Sequence, residues 1–376
     1  MVRQWLWFVA LAWATSLHAG DEGITPSEIR LGASQVLSGP LGPQTQQYGE
    51  GARLLFDAVN ERGGIHGRKI RFVSLDDGFD PARAQENTRR LVEQDKVFML
   101  FNSTGTAQTA AVLPYLTEQK TILFGPVTGA SGLRNSFNRY VFHVRASYAN
   151  ESERIVSQLK QIGVTRIAFF YQDDGLGKAL LGEVRQAVSQ QGLPPAVEIK
   201  VDPASPDFAA AAAATADAAP QAVIVGTAGL TFPRYVAAVQ ATSARPVFYG
   251  FSVASLDGIN RELKDKARGI VLAQIMPSLR NNSIPVVVEY LQHLKEKDPA
   301  AVPSASQFEG FVHARLLVEG LRRTGRELNT ERFISTMQSA REIAFGRFTA
   351  RYAPGSHNGS NYVELAIIDA EGRLRY

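Results

Sequence analysis

The stretch IRLGASQVLSGPLGPQTQQYGEGARLLFDAVNERGG, Ile29 to Gly64, decides how this chain is read. It opens with a short apolar run from Ile29 that fits a strand. A loop of Ser, Gly, Pro and Gln follows from Ser38. Then Ala52, Leu55, Phe56 and Val59 recur at helical spacing, and the glycines after Arg62 supply a helix stop. Strand, glycine-rich loop and helix make one β–α unit. Loops of this kind often hold anions, so the stretch asks whether it cradles a nucleotide phosphate, serves a catalytic site or receives another small molecule.

The same unit recurs outward along the chain. Strand candidates are IRFVSL from Ile70, VFMLF from Val97, TILFG from Thr121, RIAFFY from Arg166, AVIVG from Ala222, PVFYG from Pro246 and GIVLAQ from Gly269. Runs apolar on both faces belong in a parallel sheet covered by helices on each side. Helical patterns lie between them, as at PARAQENTRRLVEQ from Pro81 and ESERIVSQLKQIG from Glu151. The alternation predicts a doubly wound α/β fold. It starts twice, once at Ile29 and again at Arg166 with RIAFFYQDDGLGKALLGEVRQAV, which predicts two lobes of similar design. Ligands of such folds sit at the carboxyl ends of the strands, so two lobes can share a cleft. The alanine-rich stretch Phe208 to Gln221 reads as a surface helix before a strand. The tail reads as β-hairpins, with a turn at Asn358-Gly359-Ser360, a strand at Ala366-Ile367-Ile368 and a turn at Asp369 to Gly372.

Composition narrows the classes. The 376 residues allow one large domain or two ordinary ones, and 45% apolar with 20% charged residues is average for a globular protein. The net charge of +4 is small and its basic residues are scattered, which argues against a nucleic-acid partner. Cysteine is absent, which removes disulfides, thiol nucleophiles, thiolate metal sites and a lipid-accepting cysteine. Residues 1–19 carry Arg3, an apolar stretch from Trp5 to Ala14 and Leu17-His18-Ala19 before Gly20, the layout of a secretory signal peptide. The expectation is a soluble protein exported to the periplasm, with a retained signal anchor as the alternative.

Catalytic and cofactor chemistry finds little footing. A P-loop needs Gly-Lys-Ser/Thr after four spacers, and the loop before Gly51 has neither that lysine nor that spacing. Gly49 and Gly51 are followed by Leu54, and Gly175 and Gly177 by Leu180, so neither place completes a dinucleotide fingerprint. The histidines are dispersed and offer no metal site, and no cofactor is expected. Asp76-Asp77 and Asp173-Asp174 lie at strand ends, where capping the next helix competes with ligand contact. One motif is enzyme-like: Gly250-Phe251-Ser252-Val253-Ala254 approaches the nucleophile elbow of the α/β-hydrolases, which makes a serine hydrolase using Ser252 an alternative.

Taken together, S-G-P at Ser38, N-E-R-G-G-I-H-G at Asn60 and D-D-G-F-D-P at Asp76 resemble the periplasmic binding proteins of the branched-chain amino-acid (leucine/isoleucine/valine) type. FNSTGTAQTAAVLPYL, TILFGPVTGASGLR and YVFHVRASYANESERIV match further segments of that family. The resemblance runs from about Ile29 to Tyr376. It implies a type I periplasmic binding fold: two Rossmann-like lobes joined by a three-crossover hinge. Lobe one would be 28–146 plus 277–364, and lobe two 147–276 plus 365–376. It also implies a non-enzymatic monomer that closes over an amino acid or other small carboxylate and delivers it to an ABC permease. Presentation of the ligand to a membrane sensor is the alternative.

The resemblance carries ligand positions over with departures. A carboxylate-binding hydroxyl falls on Thr106, with backbone contact from Ala107. The next binding segment falls on Val127, Thr128 and Gly129, where the family's usual threonine aligns with Gly129. An aromatic position of the first loop is Gln44, and a pocket tyrosine falls at Thr227-Ala228. The carboxylate that holds a ligand's ammonium falls on Ser252. Without it a buried ammonium is costly, so the expectation is a ligand lacking an α-ammonium, or one held instead by Asp173. Tyr148 and Phe251 could cover a ring or an apolar tail. Each position also has a structural reading: caps for Thr106 and Thr128, a turn for Ser252, hinge packing for Tyr148 and solvent for Gln44.

Overall fold

The computed structural model describes residues 19–376, so the signal-peptide reading falls almost wholly outside the described residues. The first β–α units form one sheet. In chain order they are β1 (Glu28–Gln35), α1 (Gly42–Glu61), β2 (Lys69–Asp76), α2 (Pro81–Glu93), β3 (Met99–Phe101), α3 (Thr106–Glu118), β4 (Ile122–Phe124) and β5 (Val141–Phe142). The strands lie in the order β2-β1-β3-β4-β5, all parallel. The inner strands β1, β3 and β4 bury their apolar runs on both faces, as a helix-covered parallel sheet requires, while the edge strand β2 buries Ile70 and Phe72 on one face.

The second lobe repeats the pattern. It runs through α4 (Tyr148–Gln161), β6 (Ile167–Gln172), α5 (Gly175–Gln190), β7 (Val197–Val201), α6 (Phe208–Ala218), β8 (Ala222–Gly226), α7 (Thr231–Gln240), β9 (Val247–Gly250), α8 (Leu256–Leu263) and β10 (Val271–Gln274). The chain then returns to lobe one as α9 (Pro285–Lys297), α10 (Ala305–Thr324), α11 (Thr330–Ala340) and a small antiparallel sheet. That sheet holds β11 (Glu342–Phe345), β12 (Phe348–Ala353) and β13 (Ser356–Gly359). It finishes in the second sheet with β14 (Glu364–Ile368) and β15 (Leu374–Arg375), giving the order β15-β14-β10-β9-β8-β6-β7. Strands β6 to β10 are parallel, and β14 and β15 are antiparallel additions. The backbone thus passes between the two sheets after β5, after β10 and before β14. This is the two-lobed α/β architecture expected from the sequence.

The core of lobe one joins the first sheet to α1 and to α9–α11. Phe56 and Phe101 pack with ring centroids 5.4 Å apart, and Phe142 meets Phe333 of α11 at 5.9 Å. Helices α1 and α10 meet unusually closely. A Cβ on Gly51 would fall 1.8 Å from the Gln307 carbonyl oxygen, and one on Gly310 would fall 2.0 Å from that of Tyr48. Glycine at both positions therefore brings Tyr48 and the buried Glu309 into one neighbourhood.

One local expectation needs correction, and one strand escaped the sequence. Asn358-Gly359-Ser360 is not a hairpin turn: Asn358 and Gly359 end β13, and the β12–β13 turn lies at Ala353 to Ser356. The backbone past Gly359 is tied to lobe one, with Ser360 N–H donating to the Val144 carbonyl, before it crosses to β14. Strand β7 was not legible, because its VEIKV sequence alternates charged and apolar residues at a sheet edge. No helix among the described residues is long and apolar enough to cross a membrane.

Candidate ligand-binding cleft

A pocket of about 60 Å³ lies between the lobes where the strands end. Lobe one lines it with Leu41, Gln44, Thr45 and Tyr48 around the start of α1, with Phe79 after β2, with Thr104 to Thr106 after β3 and with Val127 after β4. Lobe two adds Tyr148 at the start of α4, Leu176 at the start of α5, Ala228 after β8 and Val253 after β9. The lobes touch across the cleft. Gln44 Nε2 donates to the Val253 carbonyl at 3.1 Å. Ala107 lies against Gly175, where an added Cβ would be 3.1 Å from its methyl.

The start of α3 gives the pocket its polarity. Gly105, at φ 99°, is the N-cap and has no side chain to cap the helix, and the first turn carries no acid. Unsatisfied amides and the helix dipole then favour an anion there. Thr106 Oγ1 lies 2.8 Å from Thr128 Oγ1, so one hydroxyl donates to the other and the second keeps its own proton to donate elsewhere. Thr106 lines the pocket, whereas Thr128 is 1% exposed behind it and also accepts from Ala130 N–H.

The sequence-derived positions divide accordingly. Gln44, Thr106, Val127 and Tyr148 come together on the pocket wall. Ala107 is at a contact between lobes rather than on that wall. Gly129 is covered: its carbonyl accepts from Tyr148 N–H at 2.7 Å, and a Cβ there would fall 2.5 Å from Tyr148 Cδ1. The seat of Tyr148 is thus incompatible with a threonine at 129. Thr227 is fully buried with its hydroxyl unpaired among the described residues, and its neighbour Ala228 faces the pocket instead. Phe251 is buried behind Tyr148, with ring centroids 6.1 Å apart.

Ser252 sits outside this pocket, in a buried polar network that the sequence did not reveal. Its N–H donates to Glu151 Oε2 at 2.7 Å and its hydroxyl to Glu151 Oε1 at 2.9 Å. Arg145 Nη2 donates to the same hydroxyl. Arg145 is 0% exposed, and its Nε stands 3.6 Å from Glu309 Oε1 on α10. His313 follows one turn later, 3.6 Å from the same oxygen, and its Nδ1 pairs with Asn102 Oδ1. The network therefore runs from lobe one through Arg145, in the first crossover, to lobe two. Burial raises both Glu151 and Glu309 above the usual carboxylate range, while Arg145 pulls each back. Burial, seconded by Arg145, holds His313 down at about 3, so it is a neutral imidazole at neutral pH. Arg145 resists its own desolvation because Glu309, the two nearby tyrosines Tyr148 and Tyr48, and Glu151 favour the cation.

The other carboxylates are structural. Asp174 caps α5 by accepting from Gly177 N–H, and Asp76 ties Leu37 and Ser38 to the end of β2. Asp77 accepts from Ser34 Oγ and Phe79 N–H. Asp173 pairs with Lys178 and Lys200 at the surface, so the expected stand-in for an ammonium-binding carboxylate is absent from the pocket wall. Nor does Ser252 form a nucleophile elbow. Its partners are Glu151 and Arg145 rather than an imidazole, and α8 starts only at Leu256, capped by Ser255.

Two similar lobes that meet on a pocket built from strand ends define a type I periplasmic binding fold. The chain belongs to the periplasmic binding protein family, whose model matches residues 28–372. It is 35% identical over 89 residues to an amino acid binding protein of Pseudomonas aeruginosa, covering 21% of this chain and 24% of that one. It is 23% identical over 202 residues to the Leu/Ile/Val-binding protein BraC3 of Rhizobium johnstonii, covering 54% and 53%. The chain thus spans a quarter to about half the length of these curated relatives. Among solved structures it resembles a substrate-binding periplasmic protein from Ralstonia solanacearum, with 29% identity, a TM-score of 0.84 and coverage of 92% and 99%.

Proposed function

We propose that this protein is an exported solute-binding protein whose cleft closes over a small carboxylate with an apolar body and no ammonium group, and passes it to an ABC permease. One observation carries this reading: the pocket walls include the uncapped start of α3 but no Asp or Glu. A ligand carboxylate there meets backbone amides and Thr106. An α-ammonium would be buried without a partner, because Glu151 is absent from the walls and bound to Ser252. That cost is several kcal/mol. Tyr148, Leu176 and Val253 supply an apolar enclosure for the rest of the molecule.

The test is calorimetry and thermal shift with 4-methylpentanoate, which is leucine's carbon skeleton without the ammonium. Binding of 4-methylpentanoate at least tenfold tighter than leucine is expected, and Thr106→Ala should weaken it by about 1–3 kcal/mol. Tighter binding of leucine would refute the reading.

A further inference from the structure

Behind the Arg145 network, on the hinge side, lies a larger cavity of about 460 Å³. Small-molecule sites span about 300–1,000 Å³. Its walls come from both lobes: Gln47 of α1 and the first turn of α10 on one side, and the segments after β9 and β10 with the chain end on the other. The inner wall is mostly apolar, with Leu272, Ile275, Met276, Phe308 and Leu374. Glu309 interrupts it. This residue is 3% exposed, and its Oε1 has no hydrogen-bond partner among the described residues; it has only Arg145 and His313 at 3.6 Å. Ser252, also on the wall, links the cavity to Arg145. The other charged groups around the cavity, Asp257 and Arg280, are exposed at its rim, and Arg373 is paired with Asp369 and Glu371.

We propose that this cavity is a second solute site, separate from the pocket at the strand ends, for a small organic cation: a primary amine on an apolar body, with its ammonium against Glu309. Oε1 of this buried carboxylate receives no hydrogen bond beyond its ion pair with Arg145, so the group keeps acceptor capacity for an ammonium, and charge-assisted bonds of that kind are the strong ones. A carboxylate ligand of the same shape would be set against Glu309 and repelled. Because both lobes build the wall, the occupant also fixes their separation at the hinge.

The probes are benzylamine, phenethylamine and isoamylamine, each against the carboxylate of matching skeleton, titrated calorimetrically into the full chain. The amines should bind with one-to-one stoichiometry and the carboxylates at least tenfold more weakly. Glu309→Gln should weaken amine binding roughly tenfold or more. Ala305→Trp, at an exposed position on the cavity mouth, should block it. No binding of any amine at millimolar concentration overturns the proposal. So does equal binding of the carboxylates, or amine affinity unchanged in Ala305→Trp, which decides alone should Glu309→Gln fail to fold. Titration of 4-methylpentanoate in parallel reports the front pocket independently.

Discussion

Replacing Arg145 by Met keeps much of the side chain's length and removes its charge. The wild-type guanidinium is fully buried, donates to Ser252 Oγ and stands 3.6 Å from Glu309, with Glu151 joined to it through Ser252. Removing one partner of a buried pair costs about 3–5 kcal/mol, because the remaining charge is left uncompensated. Here two carboxylates are left, each already raised by burial. The total stability of a folded protein is about 5–15 kcal/mol, so the loss should be visible as an early transition in urea followed by circular dichroism. The loss should be larger at pH 8 than at pH 5. A carboxyl whose folded pKa lies above its unfolded value favours the native state at low pH, and that advantage is lost as pH rises through the folded pKa. The double variant Arg145→Met/Glu309→Gln should recover about 1–3 kcal/mol relative to additivity. A loss below about 1 kcal/mol for Arg145→Met, or strict additivity in the double variant, would refute the account of this network as a coupled unit.

Two more expectations follow from individual contacts. Gly129→Thr restores the residue usual in the resembled proteins but places its Cβ against Tyr148; it should cost about 1–3 kcal/mol by overpacking, and an unchanged melting temperature would contradict the packing described. His313, held at about 3 against an unfolded value near 6.5, contributes stability that is present above pH 6.5 and lost as pH falls toward 3. On acidification from pH 7 to pH 5 the wild type should therefore lose about 2 kcal/mol more than His313→Gln, measured by urea unfolding, and parallel curves would show that the imidazole is not buried neutral.

Much of the fold was legible because parallel strands buried on both faces must be continuously apolar, and RIAFFY, AVIVG and ILF have no other stable place. Helix-end chemistry was equally local: Asp174 caps the helix it precedes, and the glycines after Arg62 end α1. Thr106, Gln44, Val127 and Tyr148 were legible as pocket residues through the segments they share with similar proteins. The misses have one character. Glu151 read as the start of a helix, Glu309 carried no local signal, and Gly51 read as part of an incomplete phosphate fingerprint. In the fold Gly51 and Gly310 let α1 and α10 touch, and that contact buries Glu309 near Tyr48.

By itself, then, the sequence determined the alternation of strands and helices and the doubling of the lobe, since these depend on periodicity and on the backbone needs of neighbouring residues. The tertiary structure alone decided where charge is buried. It placed Glu151 on Ser252, Arg145 between Glu151 and Glu309, and a cavity on either side of them. Whether a carboxylate faces water, a guanidinium or a ligand depends on desolvation by segments more than a hundred residues apart in the chain, and no local pattern encodes that distance.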